Sequence, residues 1–157
     1  MIERADSFYD PDVHFMEQAL AEARKAFAEG EVPIGAVVVA GGKIIASAHN
    51  MTEALTDVTA HAEMLAITAA QAELGKYIDG ATIYVTVEPC VMCAGAIAWA
   101  RPARVVYGAG EPRVGYSTIT SKSPFHPKTV VRAGVLADRA AQLMQDFFKQ
   151  KRRPKKN

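Results

Sequence analysis

The sequence has 157 residues, of which 50% are hydrophobic and 22% are charged, the composition of an ordinary globular protein. No stretch approaches the about 20 apolar residues that a membrane-spanning helix needs, and residues 1–12 have no apolar signal core. These features exclude a membrane protein. They predict a single domain over residues 1–157, located in the cytoplasm.

The net charge of +1 conceals an acidic body that ends in a basic tail. Removing the six basic residues of segment 149–157 from the total of 18 leaves 12 basic against 17 acidic residues. Cations near a helix end complement the helix dipole, and they also bind polyanions. The tail is therefore either a solvated helix end or a contact with nucleic acid. Its basic residues are Lys149, Lys151, Arg152, Arg153, Lys155 and Lys156.

The first third of the chain predicts a helix followed by a hairpin. Asp10 before Pro11 is typical of a helix start, and the apolar residues that follow at spacings of three and four predict an amphipathic helix ending near Gly30. Residues 34–48 form two apolar runs around a pair of glycines at 41–42, which predicts two antiparallel strands joined by a tight turn.

The remainder alternates helix and strand. Because strand-helix-strand units form right-handed crossovers onto a shared sheet, we expect an α/β fold, a three-layer α/β/α sandwich with a mixed five-stranded sheet. Residues 108–128 have no clear period and predict a long loop. The predicted elements are a helix over 59–74, a strand over 81–87, a helix over 90–100, strands over 105–107 and 129–132, and a final helix from about 136.

Four residues with metal or acid–base chemistry lie where two of these helices begin. His61 and Glu63 lie in the first turns of one helix, and Cys90 and Cys93 open the next. Helices that follow strands of a wound sheet begin at its carboxyl edge, so the two motifs can meet there. Cysteines at i and i+3 share one helix face. His61, Cys90 and Cys93 are therefore candidate ligands of one metal ion.

The number of ligands indicates the kind of site. A structural zinc site takes four protein ligands, whereas a catalytic one takes three and leaves a position for water. With two cysteines and four histidines in the chain, three ligands fit more easily than four, so we expect a catalytic Zn²⁺. Bound water ionises near neutral pH. Glu63 would accept the proton of that water and return it to the reacting group.

Each of these residues also has an ordinary interpretation. A lone Cys-x-x-Cys is also typical of a thioredoxin-like redox pair. A lone Glu63 is a first-turn carboxylate favoured by the helix dipole, and a lone His61 is a structural histidine. The joint occurrence of His-x-Glu with Pro-Cys-x-x-Cys favours the zinc site over these readings.

The two motifs also carry a resemblance to a known family. His61-Ala-Glu63 with Pro89-Cys90-Val-Met-Cys93 resembles the signature of the cytidine deaminase-like superfamily, and most closely that of the bacterial tRNA-specific adenosine deaminases. This resemblance implies zinc-dependent deamination of adenosine to inosine at wobble position 34 of a tRNA. It also implies a homodimer that binds the anticodon stem-loop. Further matching segments are 31–37, 83–86, 134–138 and 146–148.

The resemblance also implies which residues contact the substrate. It implies that Asn50 contacts the target nucleoside and that the backbone N–H of Ala62 receives the base or the zinc-bound oxygen. Glu111 begins a run that lies against the RNA backbone in the family, and Phe148 meets a flanking nucleotide. For Phe147, which follows the apolar face of the last helix, we expect core packing instead.

Two other functions compete with RNA deamination. A deaminase of a free nucleobase such as guanine shares the zinc motif but needs no basic tail. A non-catalytic tRNA-binding subunit is disfavoured by the presence of Glu63. If RNA is the substrate, further cations are expected around the pocket mouth, because the rest of the surface is acidic. The candidates are Arg101, Arg113, Lys122 and Lys128.

Overall fold

The computed structural model describes residues 9–152 and contains a five-stranded sheet with helices on both faces. The strand order is β2-β1-β3-β4-β5, in which β1 is antiparallel to both neighbours and β3, β4 and β5 are parallel. The predicted three-layer α/β/α sandwich is confirmed. The elements are α1 (Pro11–Ala28), β1 (Gly35–Ala40), β2 (Lys43–His49), α2 (Ala62–Leu74), β3 (Thr82–Val87), α3 (Val91–Ala100), β4 (Arg104–Ala109), a 3₁₀ helix (Tyr116–Thr118), β5 (Val130–Arg132) and α4 (Ala137–Lys151).

The sheet has one core on each face. Helices α2 and α3 pack side by side on one face through small side chains such as Ala66 and Ala94. Helices α1 and α4 cover the other face, where Met16 packs on Val37 and Tyr84. A strand that is buried on both faces has a nearly continuous run of apolar residues instead of an alternating pattern. Strands β1 and β3 have such runs and are buried along almost their whole length. No helix within residues 9–152 is long and apolar enough to cross a bilayer.

Helix α1 is fixed at its start by a buried ionic network. The Asp10 carboxylate caps the helix by accepting the Asp12 N–H at 3.0 Å. Asp12 is 4% exposed and accepts hydrogen bonds from Tyr84 Oη at 2.7 Å and from both terminal nitrogens of Arg104 at 2.9 and 2.8 Å. Arg132 on β5 adds a further bond at 2.7 Å. These contacts tie α1 to β3, β4 and β5.

Two helices begin later than the sequence pattern indicates. Helix α2 starts at Ala62 rather than at residue 59, and α3 starts at Val91 rather than at residue 90. His61 and Cys90 have extended backbones, with ψ of 153° and 172°, and therefore act as N-caps instead of first-turn residues. Both metal-ligand candidates thus lie just outside a helix, at its positive end.

The expected loop over 108–128 is shorter than its composition indicates. Strand β4 continues to Ala109, because its register with β3 extends to a pairing of Val87 with Ala109. A 3₁₀ helix then occupies residues 116–118. At the C-terminus, residues 149–152 of the basic tail belong to α4 and the turn after it. The remaining tail cations, Arg153, Lys155 and Lys156, lie outside the described residues.

Helix α4 packs directly on the backbone of β4. A Cβ atom on Gly108 would lie 2.5 Å from the carbonyl oxygen of Thr86, 3.0 Å from that of Val135 and 3.4 Å from the Cβ of Ala140. No side chain fits at position 108 without displacing one of these neighbours. A side chain at position 108 is therefore excluded mainly by the neighbouring strand β3, with the start of α4 in close contact above it.

Candidate active site

The site lies at the carboxyl edge shared by β2 and β3. Both strands are antiparallel to β1, so they run in the same direction and end at the same edge. His61 caps α2 and Cys90 caps α3, while Cys93 lies in the first turn of α3. The His61 Nδ1 atom is 3.7 Å from Cys90 Sγ and 3.4 Å from Cys93 Sγ. The structure therefore brings the three predicted ligands together.

The geometry and chemistry of this set fit zinc. All three donor atoms lie within 4.8 Å of one another. Standard Zn–N and Zn–S bonds around a tetrahedral ion place nitrogen and sulfur about 3.6 Å apart, which matches the two observed distances. Hydrogen bonds from the Cys93 thiol and from His61 lower the pKa of Cys90 to about 3, and the same Cys93–Cys90 bond raises the pKa of Cys93. Two cysteine sulfurs and an imidazole nitrogen are a donor combination that suits zinc.

Glu63 lies beside this cluster in an environment suited to proton transfer. The residue is 3% exposed and lines the same cavity as His61 and Cys90. Burial raises the pKa of its carboxyl to about 7. A carboxyl group that titrates near neutral pH both accepts and returns a proton readily.

A cavity of about 800 Å³ runs from the cluster to the last helix. The four residues predicted to contact substrate, Asn50, Ala62, Glu111 and Phe148, all line it. All four therefore lie where a bound molecule could reach them, and their contacts with a substrate stay a prediction. Other wall residues are Val32, Ile34, Thr52, Val87, Glu88, Ala109, Gly110, Pro112, Val114, Ala141, Met144 and Gln145.

Asn50 lines this cavity and has an unpaired acceptor. The residue is 6% exposed, and its Oδ1 has no hydrogen-bond partner among the described residues. Its backbone N–H is already used, since it donates to Ile34 O at 3.1 Å. A buried polar atom without a partner is costly and is rare in native structures. The side chain of Asn50 therefore has unused hydrogen-bonding capacity at the cavity wall.

The two phenylalanines of α4 have different environments. Phe147 is 5% exposed and packs edge-to-face on Phe27, with ring centroids 5.8 Å apart. Its predicted place in the core is confirmed. Phe148 is 36% exposed and lies on the cavity wall. One ring thus anchors α4 while the next remains accessible.

The expected basic cluster around the cavity is only partly correct. Only Arg113 of its four members lines the cavity. Arg101 ends α3, which begins at the site edge, so it lies about 15 Å further along that helix and stacks on Tyr77 at 4.5 Å. The other wall cations are Lys149 and Arg152 of the tail. Like Arg101, the expected cations Lys122 and Lys128 do not line the cavity.

Two buried glutamates were given no role by the sequence pattern. Glu31 is 1% exposed and accepts the backbone N–H groups of Glu53 at 3.0 Å and Ala54 at 2.8 Å. Glu88 is 6% exposed and accepts two N–H groups from segment 110–118. Each therefore anchors a loop that flanks the cavity. The sequence did contain one signal for such a role. Each glutamate lies next to an apolar run, and a carboxylate buried there is costly unless it is hydrogen-bonded.

A comparison with protein families identifies the class of protein. The family model for the zinc-binding region of cytidine and deoxycytidylate deaminases matches residues 10–109. The chain belongs to this deaminase family. The matched segment contains all three ligand candidates and Glu63, so the cluster of this deaminase corresponds to a zinc-binding region, and Zn²⁺ is its metal.

The relatives of this deaminase include tRNA-modifying enzymes. The tRNA-specific adenosine deaminase of Bacillus subtilis is 44% identical over 150 residues, which cover 92% of this chain and 93% of the relative. The tRNA-specific adenosine deaminase of Agrobacterium fabrum is 45% identical over 144 residues, which cover 88% and 95% of the two chains. Within its family, the chain therefore groups with the tRNA-specific adenosine deaminases.

Solved structures give the same order of similarity. A structure from studies of A-to-I editing by tRNA:A34 deaminases at the wobble position has a TM-score of 0.77 and 45% identity, covering 83% of this deaminase and 98% of that chain. The guanine deaminase from Nitrosomonas europaea has a TM-score of 0.71 and 27% identity, covering 84% and 81%. The fold is shared by both, and the sequence is nearer to the tRNA deaminase.

Proposed function

We propose that this deaminase converts adenosine to inosine at position 34, the wobble position, of a tRNA anticodon. The observation that carries the proposal is the continuity of the cavity from the His-Cys-Cys cluster to Phe148, Lys149 and Arg152 of the C-terminal segment. A free nucleobase has no phosphate for these cations to bind. A single-stranded anticodon loop has both phosphates and unstacked bases.

The chemistry at the closed end of the cavity follows from four side chains. His61, Cys90 and Cys93 would hold the zinc ion. When bound, zinc lowers the pKa of a coordinated water, so that hydroxide is available near neutral pH. Glu63 would accept a proton from the attacking water and donate it to the purine ring nitrogen next to the reacting carbon. It would then accept the proton of the newly formed hydroxyl group and donate it to the amino group, which leaves as ammonia. Its buried carboxyl has a pKa of about 7, which suits these transfers.

Asn50 and Ala62 orient the target nucleoside in this proposal. The unpaired Oδ1 of Asn50 accepts a hydrogen bond from the nucleoside, which removes the cost of leaving that oxygen buried without a partner. The N–H of Ala62 is at the first helical position, where no intrahelical acceptor exists, so it donates to the base or to the attacking oxygen. The target base is flipped out of its stack to reach them.

The outer part of the cavity would bind the flanking nucleotides. Phe148 offers an exposed ring on which a neighbouring base stacks. Lys149, Arg152 and Arg113 would bind phosphates of the anticodon stem-loop. Glu111 lies against the RNA backbone, where a 2′-hydroxyl can donate to its carboxylate. Together these residues distinguish an RNA substrate from a free base.

We further propose that the protein is a homodimer and acts in the cytoplasm. Each chain would form a single domain over residues 1–157. Trp99 is 77% exposed on α3, beside a groove between α2 and α3 lined by Met64, Ile67 and Ala96. Aromatic residues on apolar surface are typical of protein interfaces. Light scattering should give twice the chain mass, and Trp99→Glu should give the monomer. A wild-type monomer at working concentration would exclude the dimer.

An inosine assay tests the activity directly. The zinc-loaded protein is incubated with an unmodified tRNA that has adenosine at position 34, and with the same tRNA carrying guanosine there. Free guanine, cytosine and adenosine are tested in parallel. We expect inosine at position 34 of the first RNA alone. Deamination of free guanine with no change in the tRNA would instead establish the free-nucleobase function.

A further inference from the structure

We propose that Glu88 is a positioning residue, which holds one wall of the substrate cavity in its binding-competent form. The wall in question is residues 110–118, called here the wall loop. Its first half, residues 110–114, lines the cavity together with α4 residues such as Phe148. The effect on catalysis rests on the proposed function, whereas the effect on the loop does not.

One carboxylate ties both ends of the wall loop. Glu88 Oε1 accepts the N–H of Glu111 at 3.0 Å, and Oε2 accepts the N–H of Ser117 at 2.9 Å. Between these two amides, the N–H of Gly115 donates to the carbonyl of Glu111 at 3.0 Å. The loop is therefore a closed turn with the Glu88 side chain at its centre.

The wall loop is shaped around this carboxylate. A Cβ atom on Gly115 would lie 2.5 Å from both Cδ and Oε1 of Glu88 and 2.6 Å from the carbonyl oxygen of Glu111, so a side chain there would force the loop and the carboxylate apart. Gly115 also pairs with Cys90 across an isolated β-bridge, and Tyr116 N–H donates to Pro89 O at 2.9 Å. The loop thus closes on the metal-ligand segment only because residue 115 has no side chain.

The side-chain partners of the Glu88 carboxylate are the backbone N–H groups of the wall loop. Within residues 9–152 it forms no ion pair with a lysine, arginine or histidine. A buried carboxylate is costly unless charge-assisted hydrogen bonds stabilise it, and these come from the two loop amides. Both carboxylate oxygens are engaged by the loop, so Glu88, which also lines the cavity, is placed to shape this wall.

The same contacts continue into the cavity. Glu111, whose N–H binds Glu88, uses its own Oε1 to accept the N–H of Arg113 at 2.9 Å. The position of the Arg113 backbone in the wall thus depends on Glu88 through one intermediate residue. If the loop is released, a smaller fraction of the molecules has a binding-competent cavity at any moment. The apparent affinity for RNA falls in proportion to that competent fraction. The KM for RNA should therefore rise more than kcat falls.

Glu88→Gln in the zinc-loaded full chain tests the proposal. The amide keeps the shape of the side chain but directs an NH₂ group at one of the two loop N–H groups, so one hydrogen bond is lost. We expect hydrogen exchange of the Glu111 and Ser117 amides, followed by NMR, to become at least about tenfold faster. Zinc content should stay at one per chain. With an anticodon stem-loop RNA, we expect KM to rise about tenfold with kcat within about threefold of wild type.

Two further variants keep the test independent of simple destabilisation. Asp12→Asn is the control, since it converts another buried carboxylate to an amide far from the cavity, and it should lower Tm without changing KM or wall-loop exchange. Gly115→Ala should reproduce the Glu88→Gln phenotype, because its methyl group separates the loop from the carboxylate. The double variant should then be little worse than either single one.

Three outcomes would overturn the proposal. They are unchanged exchange of both amides in Glu88→Gln, loss of zinc in that variant, and a fall in kcat at constant KM, which would indicate a direct role in the chemistry. Failure of the proposed function has a different signature. In that case the wild-type protein does not deaminate the RNA, yet the exchange of the loop amides still responds to Glu88→Gln.

Discussion

The Nδ1 atom of His61 lies 3.4 Å from the Sγ of Cys93, although 32 residues separate them in the chain. Each atom is held by the start of a different helix, and the two helices pack side by side on the sheet. Zinc bound here therefore connects two elements that otherwise meet through small apolar side chains. Loss of one ligand should affect both metal content and the relative position of α2 and α3.

Cys93→Ser should lose most of its zinc, as should Cys90→Ser, because a three-ligand site cannot spare a ligand. Elemental analysis after dialysis measures this. His126→Ala is the matched control, since that histidine is outside the cluster and should leave one zinc per chain. Full zinc in either serine variant would show that the ligand assignment is wrong.

Glu63→Gln should keep its zinc and its fold and lose activity by about 10²–10⁴-fold, the usual size of a general acid–base contribution. Single-turnover deamination of an anticodon stem-loop RNA is the measurement. Glu73→Gln makes the same change at the exposed end of the same helix and should be neutral. If Glu63→Gln remains within a few-fold of wild type, the proton is transferred by another group.

Asn50→Ala should reduce kcat/KM by about tenfold without lowering Tm, because the removed oxygen has no partner in the free protein. Asn50→Asp retains an acceptor and should retain more activity. Differential scanning calorimetry and kinetics on the same samples separate stability from function. A large loss of Tm with unchanged kinetics would make Asn50 a structural turn residue.

Replacing Lys149 and Arg152 together by alanine should make the salt dependence of RNA binding shallower. Each lost phosphate contact reduces the slope of log affinity against log salt by about 0.7–0.9, so we expect a change of about 1.4–1.8. Lys151→Ala is the matched control, because its ammonium lies 5.5 Å from the Phe147 ring and does not line the cavity. Equal slopes for all three proteins would exclude these residues from RNA binding.

Stability should fall in acid because of Asp12. Hydrogen bonds from Arg104, and then from Tyr84 and Arg132, hold the pKa of Asp12 well below its usual value. The unfolded-state pKa of about 3.9 is therefore higher than the folded-state value, so the stabilisation is present at neutral pH and is lost as the pH falls below about 5. Thermal unfolding of Asp12→Asn should show a lower Tm at pH 7 and a flatter decline towards pH 3. Parallel curves for the two proteins would contradict this.

Local patterns in the sequence were sufficient for the helices, the sheet and the metal ligands. The spacing of Cys90 and Cys93, and their position after a buried strand, predict their place at the carboxyl edge. The roles of Glu31 and Glu88 could not be predicted in the same way. Each side chain binds backbone N–H groups more than 20 residues away, and such contacts produce no periodicity. The basic residues were misplaced for a similar reason, because charge alone does not specify which edge of the sheet a residue faces.

The glycine at position 108 has a consequence for substrate discrimination. The Val135 carbonyl and the Ala140 Cβ, at the start of α4, lie 3.0 and 3.4 Å from where a Cβ of residue 108 would be. A methyl group at 108 would press on these atoms as well as on the Thr86 carbonyl, and so would disturb the helix that contributes Phe148 to the cavity wall. The width of the entrance, and hence the bulk of the nucleotides admitted beside the target, is thus adjustable at a residue that contacts neither zinc nor RNA.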